Sequence, residues 1–197
     1  MAQTRDPKTG TPERIILGLG NPGASYARSR HNVGFMVLDA LARAASGRWS
    51  ARGIARTCRA GIAGRPVLLA EPLTYMNHSG RAARMLLEAL GLGPGDLIVV
   101  LDDLSLPLGR VRVRPRGSAG GHHGLESVLD HAGTDEVVRV RLGIAEERMP
   151  EDKAGFVLSD FAAEQAAQLE EMIGKGVNAV TSILNDGVAK TMALYNA

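Results

Sequence analysis

His31, Asp102, Asn21 and Asn77 are the side chains whose types could together support attack of water on a carbonyl. An unperturbed imidazole titrates near pH ~6.5, so a histidine can act as a general base near neutrality. A carboxylate bonded to the far ring nitrogen orients that base and stabilises its protonated form, and His31 with Asp102 suits this pairing. Asparagine is a neutral donor that can bond an oxyanion or hold a carbonyl without adding a competing base. Asn21 and Asn77 suit that role. No serine stands in a G-x-S-x-G elbow and Cys58 falls in an expected strand, so an activated water is expected in place of a covalent nucleophile.

Other chemistries are less well supported. Gly18, Gly20 and Gly23 spell G-x-G-x-x-G after an apolar strand. A dinucleotide site also needs an acidic residue closing a second strand about 20 residues later. Asp39, the nearest candidate, sits in a helical pattern, so the glycines and Pro22 read as a sharp strand-end turn. A nucleotide-dependent oxidoreductase would rest on that fingerprint alone. His122 and His123 suggest a metal, but adjacent side chains point apart and no third ligand has a recognisable spacing. No metal and no organic cofactor is expected. Plainer roles compete for the candidates: Asn32 and Asn77 suit helix N-caps, Asp102 a turn cap, and Met76 the core.

Positioning these groups falls to a series of short apolar runs. Residues 14–19 (RIILGL) form one expected buried strand, followed by a helix over 33–45 with apolar residues at helical spacing. Residues 56–63 and 66–71 flank a tight Gly64-Arg65 turn and predict a hairpin, with Pro72 stopping its second strand. A helix over 78–90 ends at Gly91, and LIVVL at 97–101 has the continuous apolar character of a strand covered on both faces. Residues 109–116 alternate strictly, placing Arg110, Arg112 and Arg114 on one face. A helix over 125–132, a strand over 137–144 carrying Arg139 and Arg141, an acidic loop over 145–155 and one long helix from 162 to about 185 complete the reading. The expected fold is α/β: a single domain with a mixed β-sheet sandwiched between α-helices. Ligands of such sheets bind beyond the carboxyl ends of parallel strands. Asn21, Asn77 and Asp102 each follow an apolar strand, and they converge with His31 if those strands are parallel neighbours.

The 197 residues, 45% of them hydrophobic, suffice for one sizeable core. Residues 1–13 read as a disordered extension and 14–197 as the domain. The single cysteine excludes an internal disulfide, and neither a signal peptide nor a run of about 18 apolar residues is found. A cytoplasmic protein away from membranes is expected. Residues 1–100 carry 13 Lys and Arg against 6 acidic side chains, and residues 101–197 carry 10 against 15. Such a split suits a basic surface facing a polyanion.

Four motifs in order, GLGNPGASYARSRHNVG, PLTYMNHSG, VLDDLSLPLGRVRVR and GSAGGHHGLESV, resemble those of bacterial-type peptidyl-tRNA hydrolases over nearly all of residues 14–195. The resemblance implies metal-independent hydrolysis of the ester joining a peptide to tRNA, recycling tRNA from stalled or dropped-off translation. It implies that His31 is the base, that Asp102 orients it, and that Asn21 and Asn77 position carbonyl and water. Tyr75 and Met76 would line the peptide side and Tyr26 the tRNA end, with Asn32, His122 and His123 also contacting substrate. Arg110, Arg112, Arg114 and Arg141 would face tRNA phosphates. The only partner implied is peptidyl-tRNA, with no obligatory protein partner, and a monomer is expected. Two departures stand out: His123 where the family commonly has Asn, and Ser105 where it often has Asp. A neutral His123 could replace the Asn contact, which would steepen the acid limb of activity. The alternative reading is a non-catalytic RNA-binding protein on the same scaffold.

Overall fold

The computed structural model describes residues 10–197. Of the extension expected over 1–13, residues 1–9 lie outside the described part. Gly10 accepts a bond from Arg59, and the Glu13 N–H donates to the Pro66 carbonyl.

Among the described residues seven strands form one mixed sheet: β1 (Arg14–Gly18), β2 (Ser50–Arg52), β3 (Ala55–Ile62), β4 (Arg65–Pro72), β5 (Leu97–Pro107), β6 (Val111–Arg114) and β7 (Val138–Ala145), in the order β2-β3-β4-β1-β5-β7-β6. The four central strands β4, β1, β5 and β7 are parallel, while β2, β3 and β6 join as antiparallel partners. The strands preceding Asn77, Asn21 and Asp102 are therefore parallel neighbours, as convergence requires.

Among the described residues six α-helices accompany the sheet: α1 (Val33–Ala44), α2 (Ser79–Leu90), α3 (His123–Ala132), α4 (Lys153–Leu158), α5 (Ala166–Asp186) and α6 (Val188–Tyr195). Alternate strand residues serve two cores. Ile16, Leu69, Ile98 and Val100 pack with α1 and α5, whereas Ile15, Leu17, Leu68, Val99 and Leu101 pack with α2 and α3. This two-sided burial is why RIILG and LIVVL read as unbroken apolar runs. Each Ile or Leu so buried contributes roughly 1.5–3 kcal/mol relative to exposure.

Several boundaries differ from the sequence reading. The hairpin turn is Ala63-Gly64, both at positive φ, because Ile62 pairs with Arg65. The helix expected from 162 to about 185 is α5, which starts at Ala166, and a further helix, α6, follows it after Gly187 (φ +85°). The acidic loop expected over 145–155 runs into α4 at Lys153, and the Asp152 cap accepts from the Gly155 N–H at 2.9 Å. The strand expected over 109–116 pairs only over Val111–Arg114. Beyond α6, the Asn196 side-chain amide bonds both the N–H and the C=O of Val113, each at 2.9 Å, along the outer edge of β6.

The glycine fingerprint has a packing explanation. A Cβ on Gly18 would lie 2.8 Å from the Gly34 carbonyl, and one on Gly34 would lie 2.5 Å from the Val100 carbonyl. The first turn of α1 thus sits directly on the end of β1 and on Val100 of β5.

Candidate active site

Gly18 pairs with Val100, so Asp102 lies two residues past the level at which β1 ends. There the chain leaves β1 through the loop of Asn21 and enters a 3₁₀ turn, Arg30–Asn32, that leads into α1. This turn brings the His31 Nδ1 within 2.8 Å of the Asp102 Oδ1. The same oxygen meets the His122 Nε2 at 3.0 Å, and the two rings lie 4.9 Å apart. His122 caps α3: its Nδ1 accepts the Leu125 N–H at 3.1 Å. With that lone pair committed, the neutral ring carries its proton on Nε2 and donates it to Asp102. His31 likewise donates from Nδ1, which leaves its Nε2 lone pair free.

Asp102 is 2% exposed. Burial alone would raise its pKa, but His122 and then His31, as hydrogen-bond donors and, once protonated in acid, as cations, outweigh burial and hold the carboxyl well below the usual carboxylate range. Asp102 is therefore ionised at any pH at which His31 is a competent base.

Donor atoms of His31, Asp102 and His122 lie within 4.8 Å of one another, close enough to surround an ion. Their chemistry does not fit one. Metal ligands must be deprotonated, whereas both nitrogens facing Asp102 are donors and His122 is locked in that tautomer by its capping bond. The resemblance implies a substrate contact for His122; its Nε2 faces Asp102 instead.

Asn21 lies in the loop that follows β1, the strand next to β5. Its Oδ1 accepts the Met76 N–H at 2.8 Å, so its Nδ2 is the uncommitted donor among the described contacts. Met76 is buried against Gly124, where an added Cβ would lie 2.3 Å from the Met76 sulfur. Asn32 plays a structural part, in that its Oδ1 accepts the Asn21 N–H at 2.8 Å and its Nδ2 donates to the Asn21 carbonyl at 2.9 Å. Both ends of its amide thus engage the Asn21 backbone, so Asn32, 2% exposed, holds that loop in place. It makes no N-cap bond.

Other candidates are more dispersed. Asn77 is exposed in the 3₁₀ turn Met76–His78, Tyr75 is 63% exposed beside it, and Tyr26 is half-buried. His123 faces outward as the first residue of α3 and pairs with Glu126 at 3.3 Å, away from the cluster. Among the arginines, Arg112 and Arg114 have no ion pair in the described structure, and Arg112 keeps a buried Nε without an acceptor. Arg141 bonds Asp103 and Ser105, and Arg110 lies outside β6 and bonds the Ala197 carbonyl, so these two are already engaged. Arg139 is buried, and its guanidinium is spent on carbonyls of Gly117, Ser118, Asp135 and Val137.

A family model described as peptidyl-tRNA hydrolase matches residues 15–197. The chain belongs to the peptidyl-tRNA hydrolase family. It is 41% identical to the peptidyl-tRNA hydrolase of Bacillus subtilis, with 93% of this chain and 98% of that one covered. The protein of that name from Aquifex aeolicus is 45% identical over 83% of this chain and 86% of its own. The crystal structure of peptidyl-tRNA hydrolase from Acinetobacter baumannii superposes with a TM-score of 0.87 at 29% identity, covering 95% of this chain and 96% of that one. Among the described residues, no helix of this family member is long and apolar enough to cross a membrane.

Proposed function

We propose that this protein hydrolyses the ester between a peptide and the terminal ribose of tRNA by a histidine-activated water, acting as a cytoplasmic monomer. The observation that carries this reading is the single Asp102 oxygen shared by two imidazole donors, which leaves His31 Nε2 as the free base.

In this mechanism His31 Nε2 removes a proton from water as the oxygen attacks the ester carbonyl carbon. Ionised Asp102 stabilises the imidazolium that forms. The tetrahedral oxyanion accepts hydrogen bonds from the Asn21 Nδ2 and the Asn77 amide. Collapse breaks the bond to the ribose oxygen, which takes the proton from His31 and leaves as a hydroxyl. The peptide is released as a carboxylic acid, whose proton, the second of the attacking water, passes to solvent water to leave a carboxylate. Met76 and Tyr75 bound the peptide side, Tyr26 the nucleotide side, and Arg112 with Arg114 meets phosphates. Every proton moves between water, His31 and the ribose, so the reaction needs no cofactor.

Cleavage of N-acetyl-aminoacyl-tRNA in the presence of a chelator tests the proposal. His31→Ala is expected to remain folded and to lose roughly 10²-fold or more in kcat/KM, as expected for loss of a general base. A folded variant with near-normal turnover would remove His31 from the mechanism.

A further inference from the structure

The 3₁₀ turn carrying His31 is held from both sides. On one side Asn32 binds the Asn21 backbone. On the other stands Arg30, which no motif reading singles out. Its side chain is buried, and its guanidinium carbon lies 4.4 Å from the Phe156 ring centroid and 5.1 Å from that of Phe161. The same group donates to the Ser159 Oγ at 2.9 Å, the Gln165 Oε1 at 3.1 Å, the Asp160 carbonyl and the Glu146 carboxylate. All six partners belong to residues 146–165. The backbone joins as well: the Arg30 N–H donates to the Ser159 carbonyl at 3.0 Å, and Ser29 forms an antiparallel bridge with Asp160.

We propose that Arg30 is a positioning residue for hydrolysis, riveting the His31 turn to the 146–165 segment so that His31 stays in register with Asp102. Two features separate this from ordinary core packing. A buried cation is costly unless paired, and here the compensation is assembled from five residues of one segment plus a carboxylate that Gln165 also binds at 3.0 Å. Its backbone is also adjacent to the base itself, so a shift of Arg30 moves His31 directly. Misplacing a catalytic group by about 1 Å can cost 10²-fold in rate. Docking of the 146–165 segment and alignment of the base are, on this arrangement, one event.

The inference rests on His31 being the base. The test measures kcat, KM and the pH profile for Arg30→Ala and Arg30→Lys on N-acetyl-aminoacyl-tRNA, with melting temperatures. Arg30→Ala is expected to lower kcat about 10- to 100-fold at nearly constant KM and to displace the acid limb of kcat, with millimolar guanidinium restoring part of the rate. Arg30→Lys keeps the charge and loses the fork, so it should fold and show a smaller fall with the same displacement. A folded variant with lower melting temperature but normal kcat and pH profile would make Arg30 purely structural, and a raised KM at normal kcat would make it a substrate contact. If Arg30→Ala does not fold, the lysine variant decides by the same criteria. Normal turnover in His31→Ala would overturn the site assignment itself, which separates the two failures.

Discussion

Two buried carboxylates lie in the strands on either side of β1, and their surroundings drive them in opposite directions. Asp102, on β5, is held well below the usual carboxylate range. Glu71, on β4, is 0% exposed and pushed up to about 7, first by burial, against the opposing hydrogen bond and charge of Arg56. Asp102 concentrates two imidazole donors on one oxygen. Glu71 has a single guanidinium, which also serves Asp39 at 2.9 Å and lies over Trp49, and its Oε1 is buried without a described partner. A groove of about 310 Å³ lined by Asn21, Phe35, Asp39, Arg56 and Leu73 reaches Glu71. Depth of burial is similar in the two places; the number and commitment of donors decides which carboxylate keeps its charge.

Asp102→Asn strikes the first half of this comparison hardest. An amide presents an acceptor and a donor where two N–H groups expect an anion, so turnover should fall by roughly 10²-fold while tRNA affinity is retained. A parallel fall in binding, measured by filter retention or fluorescence, would show that Asp102 also contacts nucleic acid. Arg112→Ala with Arg114→Ala, away from both carboxylates, should leave kcat intact and weaken all tRNAs alike. The log-log salt dependence should become shallower by about 1.5, since each phosphate contact accounts for roughly 0.7 to 0.9. An unchanged slope would return both arginines to the solvent-facing surface.

Glu71 is expected to act on stability alone. Its folded pKa lies above its unfolded value, so between about pH 4.5 and 7 the folded state binds more protons, and stability declines as pH rises through that window. The decline attributable to Glu71 is at most about 3 kcal/mol. Glu71→Gln should flatten it without altering kcat, and equal stability in denaturant titrations of the parent protein at pH 5 and 8 would show that Arg56 fully compensates the buried charge. The smallest change expected is for His123→Asn: given its outward orientation, kcat/KM and the acid limb should move by less than about twofold. A relaxed acid limb would bring His123 back to the substrate.

Much of the fold was legible because the central strands are buried on both faces, which leaves apolar runs that few other arrangements explain. His31 and Asp102 were legible by residue type, and the parallel order β4-β1-β5 supplied the missing adjacency. His122 and His123 could not be ranked from spacing, since the decision lies in where α3 starts: its first turn draws His122 inward as a cap and leaves His123 outside. Asn32 was legible as a polar residue near the site, but its commitment to Asn21 depends on a loop closure that carries no local signal. Arg30 left no trace at all, because its side-chain partners lie between 116 and 135 positions away.

The amide of Asn196 has a consequence outside catalysis. A sheet's outermost strand ordinarily offers unpaired N–H and C=O groups as a template for another chain. By imitating one residue of a neighbouring strand, Asn196 occupies both groups of Val113. That single side chain takes the place a neighbouring strand would need at Val113, so removing the last two residues is expected to leave both backbone groups open.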